Sequence, residues 1–304
     1  MAGNGSRMKL GTAPISWGVC ELPDWGIVLP YEQVLDEMAD LGYAGTELGP
    51  WGYLPKEAAR LEKELRARRL TLAGAFCPVT LHDPARYDEQ MAYAMETCRL
   101  LADLGAPVLV LAEAGDAERE RIAGRVRGSD PHFSDAQWKR FSEGANEIAR
   151  RASEMGLVTA FHPHAGTYVE TPAETKELLR RTDPGLVGLC LDTGHVYYGG
   201  GDPVALAQSD PGRIRHVHLK DVHRDRYERA LAQKLDFTAA VGEDVFAPVG
   251  SGDLDMALLL GILREARFDG WLIVEQDIRI APGSARQPKV DAATSRRFVT
   301  AAMG

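Results

Sequence analysis

The chain has 304 residues, 45% of them hydrophobic and 26% charged, with a formal net charge of -9. That length exceeds a minimal domain and suits one large α/β barrel, and the acidic balance argues against nucleic acid as a partner. No apolar run reaches the roughly 18 residues that span a bilayer, so no membrane partner is expected.

Met1 to Arg7 is short and polar and reads as a disordered lead or expression remnant, leaving residues 8–304 as a single domain. From there strand-like apolar runs alternate with amphipathic helical runs. The strands are expected at Lys9 to Ile15, Ala44 to Leu48, Thr71 to Phe76, Val108 to Ala112, Val158 to Phe161, Val187 to Leu191, Ile214 to Leu219 and Trp271 to Val274. Between the first two, Tyr31 to Ala39 carries Val34, Leu35 and Met38 on one helical stripe. Lys56 to Arg68, Tyr87 to Leu104, Asp135 to Met155, Pro172 to Arg181 and Met256 to Ala266 read likewise. Gly42, Gly105 and Gly156 are stop signals before the next strand.

About eight β-then-α repeats with no composition break predict a TIM (β/α)8 barrel. An open doubly wound sheet is the runner-up, but no GxGxxG follows the first strand. Residues 199–203 and 248–253 read as loops, and residues 116–133 as a mobile loop over one mouth of the barrel. His223 to Arg229 is a charged, solvated face, from which one arginine reaching a substrate is the alternative. The four cysteines are widely spaced with no CxxC pair, and Cys77 and Cys190, in apolar strand-like runs, read as buried thiols, which fits a reducing cytoplasm.

The stretch Arg215-His216-Val217-His218-Leu219-Lys220-Asp221 puts His216, His218 and Lys220 on one face of a strand. Such a face is costly unless it meets a metal, anions or a polar cavity. In a barrel the chemistry belongs at the C-terminal ends of the strands. That rule selects Glu47, His162, His164, Asp192, His195, His218, Lys220 and Glu275. Singly, each is more simply a helix cap or a satisfied histidine. As a set on several strand ends they point to one metal site, and His with carboxylate donors suits Mn²⁺, Co²⁺, Fe²⁺ or Zn²⁺.

The segments Phe161-His162-Pro163-His164-Ala165-Gly166-Thr167, Asp192-Thr193-Gly194-His195, His216-Val217-His218-Leu219-Lys220-Asp221 and Val274-Glu275-Gln276-Asp277 resemble the xylose-isomerase-like TIM-barrel superfamily. Within it they are most similar to the inosose dehydratases and their sugar phosphate isomerase/epimerase relatives. The resemblance implies His162, Asp192, His218 and Glu275 as ligands of a divalent ion, Mn²⁺ or Co²⁺ before Zn²⁺, Fe²⁺ or Mg²⁺. It implies α-proton abstraction beside a carbonyl of a sugar or cyclitol ketone, with Glu275 as base, His164 or His195 protonating or orienting the substrate, and Lys220 stabilising the enolate. An ion pair of Lys220 with Asp221 or Glu47 is the plainer reading. Glu47, Trp17 and Trp51, with Tyr53, are the expected substrate contacts, core packing being the alternative for the aromatic residues.

One position departs from the epimerase relatives. They place a Glu at the end of strand five, where this chain has His162. A lyase of the inosose-dehydratase kind is therefore expected ahead of an isomerase or epimerase. A non-catalytic polyol-binding barrel and a DNA-repair endonuclease are the remaining readings, and a homo-oligomer stays open.

Overall fold

In the computed structural model, residues 8–22 and 25–303 are described. The lead expected at residues 1–7 lies outside them. Strands β1 (Lys9–Thr12), β2 (Gly45–Glu47), β3 (Thr71–Val79), β4 (Val108–Glu113), β5 (Val158–Phe161), β6 (Val187–Asp192) and β7 (Ile214–Leu219) are parallel neighbours in sequence order. A two-stranded antiparallel ribbon of β8 (Asp221–Val222) and β9 (Phe246–Ala247) precedes the last barrel strand, β10 (Trp271–Val274). β10 pairs with both β7 and β1, closing the barrel.

The first strand is shorter than expected. Pro14 cannot donate to a ladder, and it opens a 3-10 turn at Pro14–Trp17 that Gly18 ends with φ 74°. β3 runs on to Val79, past the expected Phe76.

Helices α1 (Tyr31–Leu41), α2 (Ala58–Ala67) and α3 (Tyr87–Asp103) sheath the first half of the barrel. The apolar stripe of α1 is buried through Val34, Leu35 and Met38, and Gly42 caps it with φ 81°. The expected loop at residues 116–133 contains a short helix, α4 (Ala117–Arg121), started by Asp116 accepting from the backbone of Glu118 and Arg119. Arg119 is fully buried and makes a bidentate pair with Glu174 at 2.8 and 3.0 Å. Glu174 also belongs to the capping box that opens α6 (Pro172–Arg181), which follows α5 (Asp135–Glu154). The loop is thus clamped to the barrel wall.

Helices α7 (Thr193–Tyr198), α8 (Pro203–Ser209), α9 (Arg224–Gln233) and α10 (Phe237–Gly242) were not foreseen from periodicity, being short or strongly polar. The charged run at His223 to Arg229 starts α9, and Arg226 turns to Asp244 rather than to the cavity. Helices α11 (Met256–Glu265) and α12 (Pro288–Met303) complete the sheath. Among the described residues no helix is long and apolar enough to cross a membrane.

Candidate active site

The site is built by strand register. Asp192 of β6 stands beside His218 of β7, and His218 stands beside Ile273 of β10. Glu275 follows β10, its backbone N–H donating to Leu219 O at 3.0 Å. Asp192 also caps α7: its Oδ1 accepts from His195 N at 2.8 Å, which turns Oδ2 toward the cavity. Alternation along β7 then brings His216, His218 and Lys220 inward, all buried.

Around Asp192 Oδ2 lie His162 Nε2 at 3.3 Å, Lys220 Nζ at 3.5 Å and His218 Nδ1 at 3.6 Å. Glu275 Oε2 is 3.3 Å from His218 Nδ1 and 3.1 Å from Lys220 Nζ. Ligand atoms of Asp192, His218 and Glu275 lie within 4.8 Å of one another. His162 groups with Asp192 and His195, and with Cys190 and His218, so three of the four expected ligands converge in one group and the fourth approaches through Asp192 and His218. His218 Nδ1 is buried without a hydrogen bond while facing two carboxylate oxygens. A desolvated imidazole nitrogen without a hydrogen bond, set among carboxylates, becomes a metal donor once an ion displaces its proton, so the residues fit a divalent ion.

Charge is concentrated here. Burial works against the carboxylates, yet His218 and Lys220 hold Glu275 below the usual range, and Lys220, with hydrogen bonds from His162 and His218, does the same for Asp192. Burial also opposes the Lys220 cation, but Asp192, Asp277 and Glu275 overcome it and keep the ammonium charged. His164 is pushed down to about 3 by burial, and His195 well below its ordinary value, so both rings are neutral. Their rings pack at a tilt of 32° with centroids 3.8 Å apart. His164 Nδ1 meets Ala165 O, and Ala165 N donates to His195 Nδ1 at 3.2 Å.

The plainer reading of Lys220 is corrected. Its partners are Asp277 Oδ1 at 2.6 Å, Glu275 and Asp192, not Asp221 or Glu47. Asp221 instead accepts from the backbone of Gly250, Gly252 and Leu254, shaping the loop after β9. Glu47 lines the cavity but is taken by two imidazoles, His216 Nε2 at 2.6 Å and His218 Nε2 at 3.0 Å.

Three aromatic expectations are also corrected. Trp17 is fully buried with Nε1 donating to Glu37, because the 3-10 turn swings it out of the barrel mouth and into the sheath. Trp51 packs edge-on to Tyr93 with Lys56 over its ring. Tyr53 hydroxyl donates to Leu29 O. None of the three lines the cavity. The aromatic lining comes from Trp25, Phe76 and Phe237, which lie in loops, strand and helix with no pattern that singles them out. Glu113, the last residue of β4, and Asp277 were missed as well. The strand-end rule applied one residue further along β4 would have found Glu113.

The cavity, about 420 Å³, opens at the C-terminal ends of the strands and is roofed by two excursions. Glu120 on α4 and Thr238 on α10 both line it, and they are hydrogen-bonded to each other. Arg125 donates to Leu235 O at 2.8 Å beside them.

A closed parallel barrel with a His- and carboxylate-lined cavity at its C-terminal mouth is the architecture of a TIM-barrel enzyme. The chain belongs to the Xylose isomerase-like TIM barrel family, whose sequence pattern matches residues 35–301. It is 35% identical over 270 residues to inosose dehydratase from Lacticaseibacillus casei, covering 89% of this chain and 90% of that one. Inosose dehydratase from Clostridium beijerinckii is 35% identical over 280 residues, covering 91% and 93%. Among solved structures, D-psicose 3-epimerase superposes with a TM-score of 0.71 at 18% identity, covering 98% of this chain and 100% of that one. At that identity the likeness speaks for the fold alone. The chain is an enzyme of the dehydratase or isomerase kind.

Proposed function

We propose that the chain is a divalent-metal-dependent lyase that removes water from an inosose-like polyhydroxy ketone. The observation that carries this reading is His162 at the end of β5, 3.3 Å from Asp192, in the place where the resemblance to epimerases implies a second carboxylate. On the strands five to eight wall, Glu275 is then the carboxylate assigned to take a substrate proton. The inosose dehydratases at 35% identity support the same substrate class.

Asp192, His218 and Glu275 would hold the ion, with His162 beside Asp192, and Mn²⁺ or Co²⁺ suits this donor set. When bound, the ion supplies Lewis acidity to the ketone oxygen. The Glu275 carboxylate removes the hydrogen on the carbon next to the ketone, and Lys220, 3.1 Å from Glu275, neutralises charge developing on oxygen. Neutral His164 orients a hydroxyl group without adding charge, while neutral His195, with Nδ1 on Ala165 N and Nε2 3.0 Å from Lys220 Nζ, positions the ammonium. The aromatic walls of Trp25, Phe76 and Phe237 offer apolar faces to ring C–H groups.

The lining favours an uncharged substrate. Glu21, Glu47, Glu113, Asp116, Glu120, Glu275 and Asp277 face the cavity, and among the described residues Lys220 is the one lysine or arginine there. It is already paired with three carboxylates, which leaves no arginine or lysine for a phosphate.

The test is product mass. Incubation of an inosose with Mn²⁺- or Co²⁺-loaded protein is expected to give a product lighter by one water. A product of unchanged mass that has exchanged hydrogen for deuterium would overturn the lyase reading in favour of an isomerase or epimerase.

A further inference from the structure

We infer that Glu113 is the second proton-transfer residue of the cavity and that its carboxyl hands a proton to the hydroxyl leaving the substrate. The inference rests on the lyase reading above. The ion-binding donors and Lys220 stand on β5, β6, β7 and the end of β10. In the closed ring β1-β10-β7-β6-β5-β4-β3-β2, β4 lies diametrically opposite β10. Glu113 ends β4 and lines the same cavity as Glu275. A ring ketone held by its carbonyl at the Glu275 side reaches toward this second carboxyl with its more distant hydroxyl.

The two oxygens of Glu113 are not equivalent. Oε2 accepts from Gly115 N at 2.9 Å and Tyr168 N at 2.8 Å. Oε1 is buried with no hydrogen-bond partner among the described residues, and His82 Nδ1, likewise without one, lies 3.5 Å from it. A proton on this carboxyl therefore sits on Oε1. Burial pushes the group up to about 7 against the pull of the two backbone N–H groups, Asp116 adding to the rise and Arg119 opposing it. A structural anchor needs only Oε2. Oε1, on a residue that lines the cavity, has His82 as a neighbour but no protein hydrogen bond, which leaves its proton available to a ligand.

The step balances. Glu275 takes the α-hydrogen as a proton, and the C–H electron pair passes through the enolate into a new C=C bond. The β C–O bond breaks, its electron pair leaves with oxygen, and Glu113 protonates that oxygen to release water. Glu275 ends protonated and Glu113 ionised, and solvent exchange returns both to their starting states. No oxidant or reductant enters.

Glu113→Gln keeps an acceptor for the Gly115 and Tyr168 N–H groups and removes the acid. We expect it to melt close to wild type, to exchange the substrate α-hydrogen with deuterated water at a near-wild-type rate, and to lose water elimination by about 10²-fold or more. Undiminished elimination in Glu113→Gln overturns the inference, while a wild type that gives only unchanged mass overturns the lyase reading instead. A second readout does not depend on turnover. The infrared difference between wild type and Glu113→Gln at pH 6 is expected to contain a protonated-carboxyl band that shifts when the inosose is added. Absence of the band, or a band that the ketone leaves unmoved, shows Glu113 to be an anchor alone.

Discussion

Glu47 Oε1 lies 3.0 Å from His218 Nε2, and this contact decides which nitrogen of His218 faces the cavity. With Nε2 engaged by Glu47, Nδ1 is the nitrogen turned to Asp192 and Glu275. The second imidazole, His216 at 2.6 Å, holds the same carboxylate oxygen. Burial raises the cost of the Glu47 charge, but His218 and His216 together keep its carboxyl well below the usual range. Glu47 thus acts on the site through His218. Glu47→Ala is expected to weaken divalent-ion affinity about 10–100-fold, the range for partners that orient a metal-bound histidine. Titration calorimetry with Mn²⁺ or Co²⁺ measures it; unchanged affinity would show that the pair serves the barrel interior only.

His218→Ala removes the imidazole between Asp192 and Glu275 and leaves their carboxylates closer to bare charges. Retained divalent ion is expected to drop sharply, with loss of turnover and an intact circular dichroism spectrum. Full metal content together with normal activity would make His218 a structural residue.

Gly194 packs against the stem of Lys220. A Cβ there would meet Lys220 Cγ at 2.6 Å and Cβ at 2.9 Å. Gly194→Ala must displace the lysine, and misplacement by about 1 Å at a reacting centre costs on the order of 10²-fold. The expectation is a fall of that size in kcat with the melting temperature little changed. Wild-type kcat in Gly194→Ala would show that the position of the ammonium does not matter.

The Arg119–Glu174 pair gives the acid limb of stability a specific origin. Burial works against the Glu174 charge, but the Arg119 hydrogen bonds hold its carboxyl below the ordinary value of 4.5. A depressed carboxyl stabilises the fold fully above its unfolded value, and that contribution fades as pH falls through the folded value. Arg119→Ala takes the guanidinium from a buried carboxylate and leaves it His132 Nδ1 at 3.0 Å and the Glu170 and Thr171 N–H groups, at a cost of about 3 kcal/mol near pH 7. Urea unfolding is expected to show this loss at pH 7 and a smaller one near pH 3, where Glu174 is protonated in the unfolded chain. Equal losses at both pH values would mean that packing, not charge, is what Arg119 provides.

Much of the barrel and its donor set can be read from the chain because both repeat. Strand after strand ends in an apolar run followed by His, Asp or Glu, and the register of β6 and β7 brings Asp192 beside His218 as the pattern implies. What the pattern does not carry is the direction of single side chains. Trp17 follows a strand like the functional residues do, but a 3-10 turn begun at Pro14 sends it into the sheath. Lys220 could pair with several nearby acids, and only the folded geometry selects Asp277, two residues beyond Glu275 on another strand end. Glu113 was hidden because it follows Ala112 in a run that is otherwise apolar, so its solitary charge reads as the start of a loop. Short helices such as α4 and α10 hold too few residues to show a period.

The two clasps over the mouth, Glu120 to Thr238 and Arg125 to Leu235, join segments that follow different strands, β4 and β7. Passage beneath them requires two separately anchored pieces of chain to part together. Motion of that kind works against solvent friction. Steady-state turnover is therefore expected to slow as sucrose thickens the medium, while the first, single turnover of prebound ketone keeps its rate.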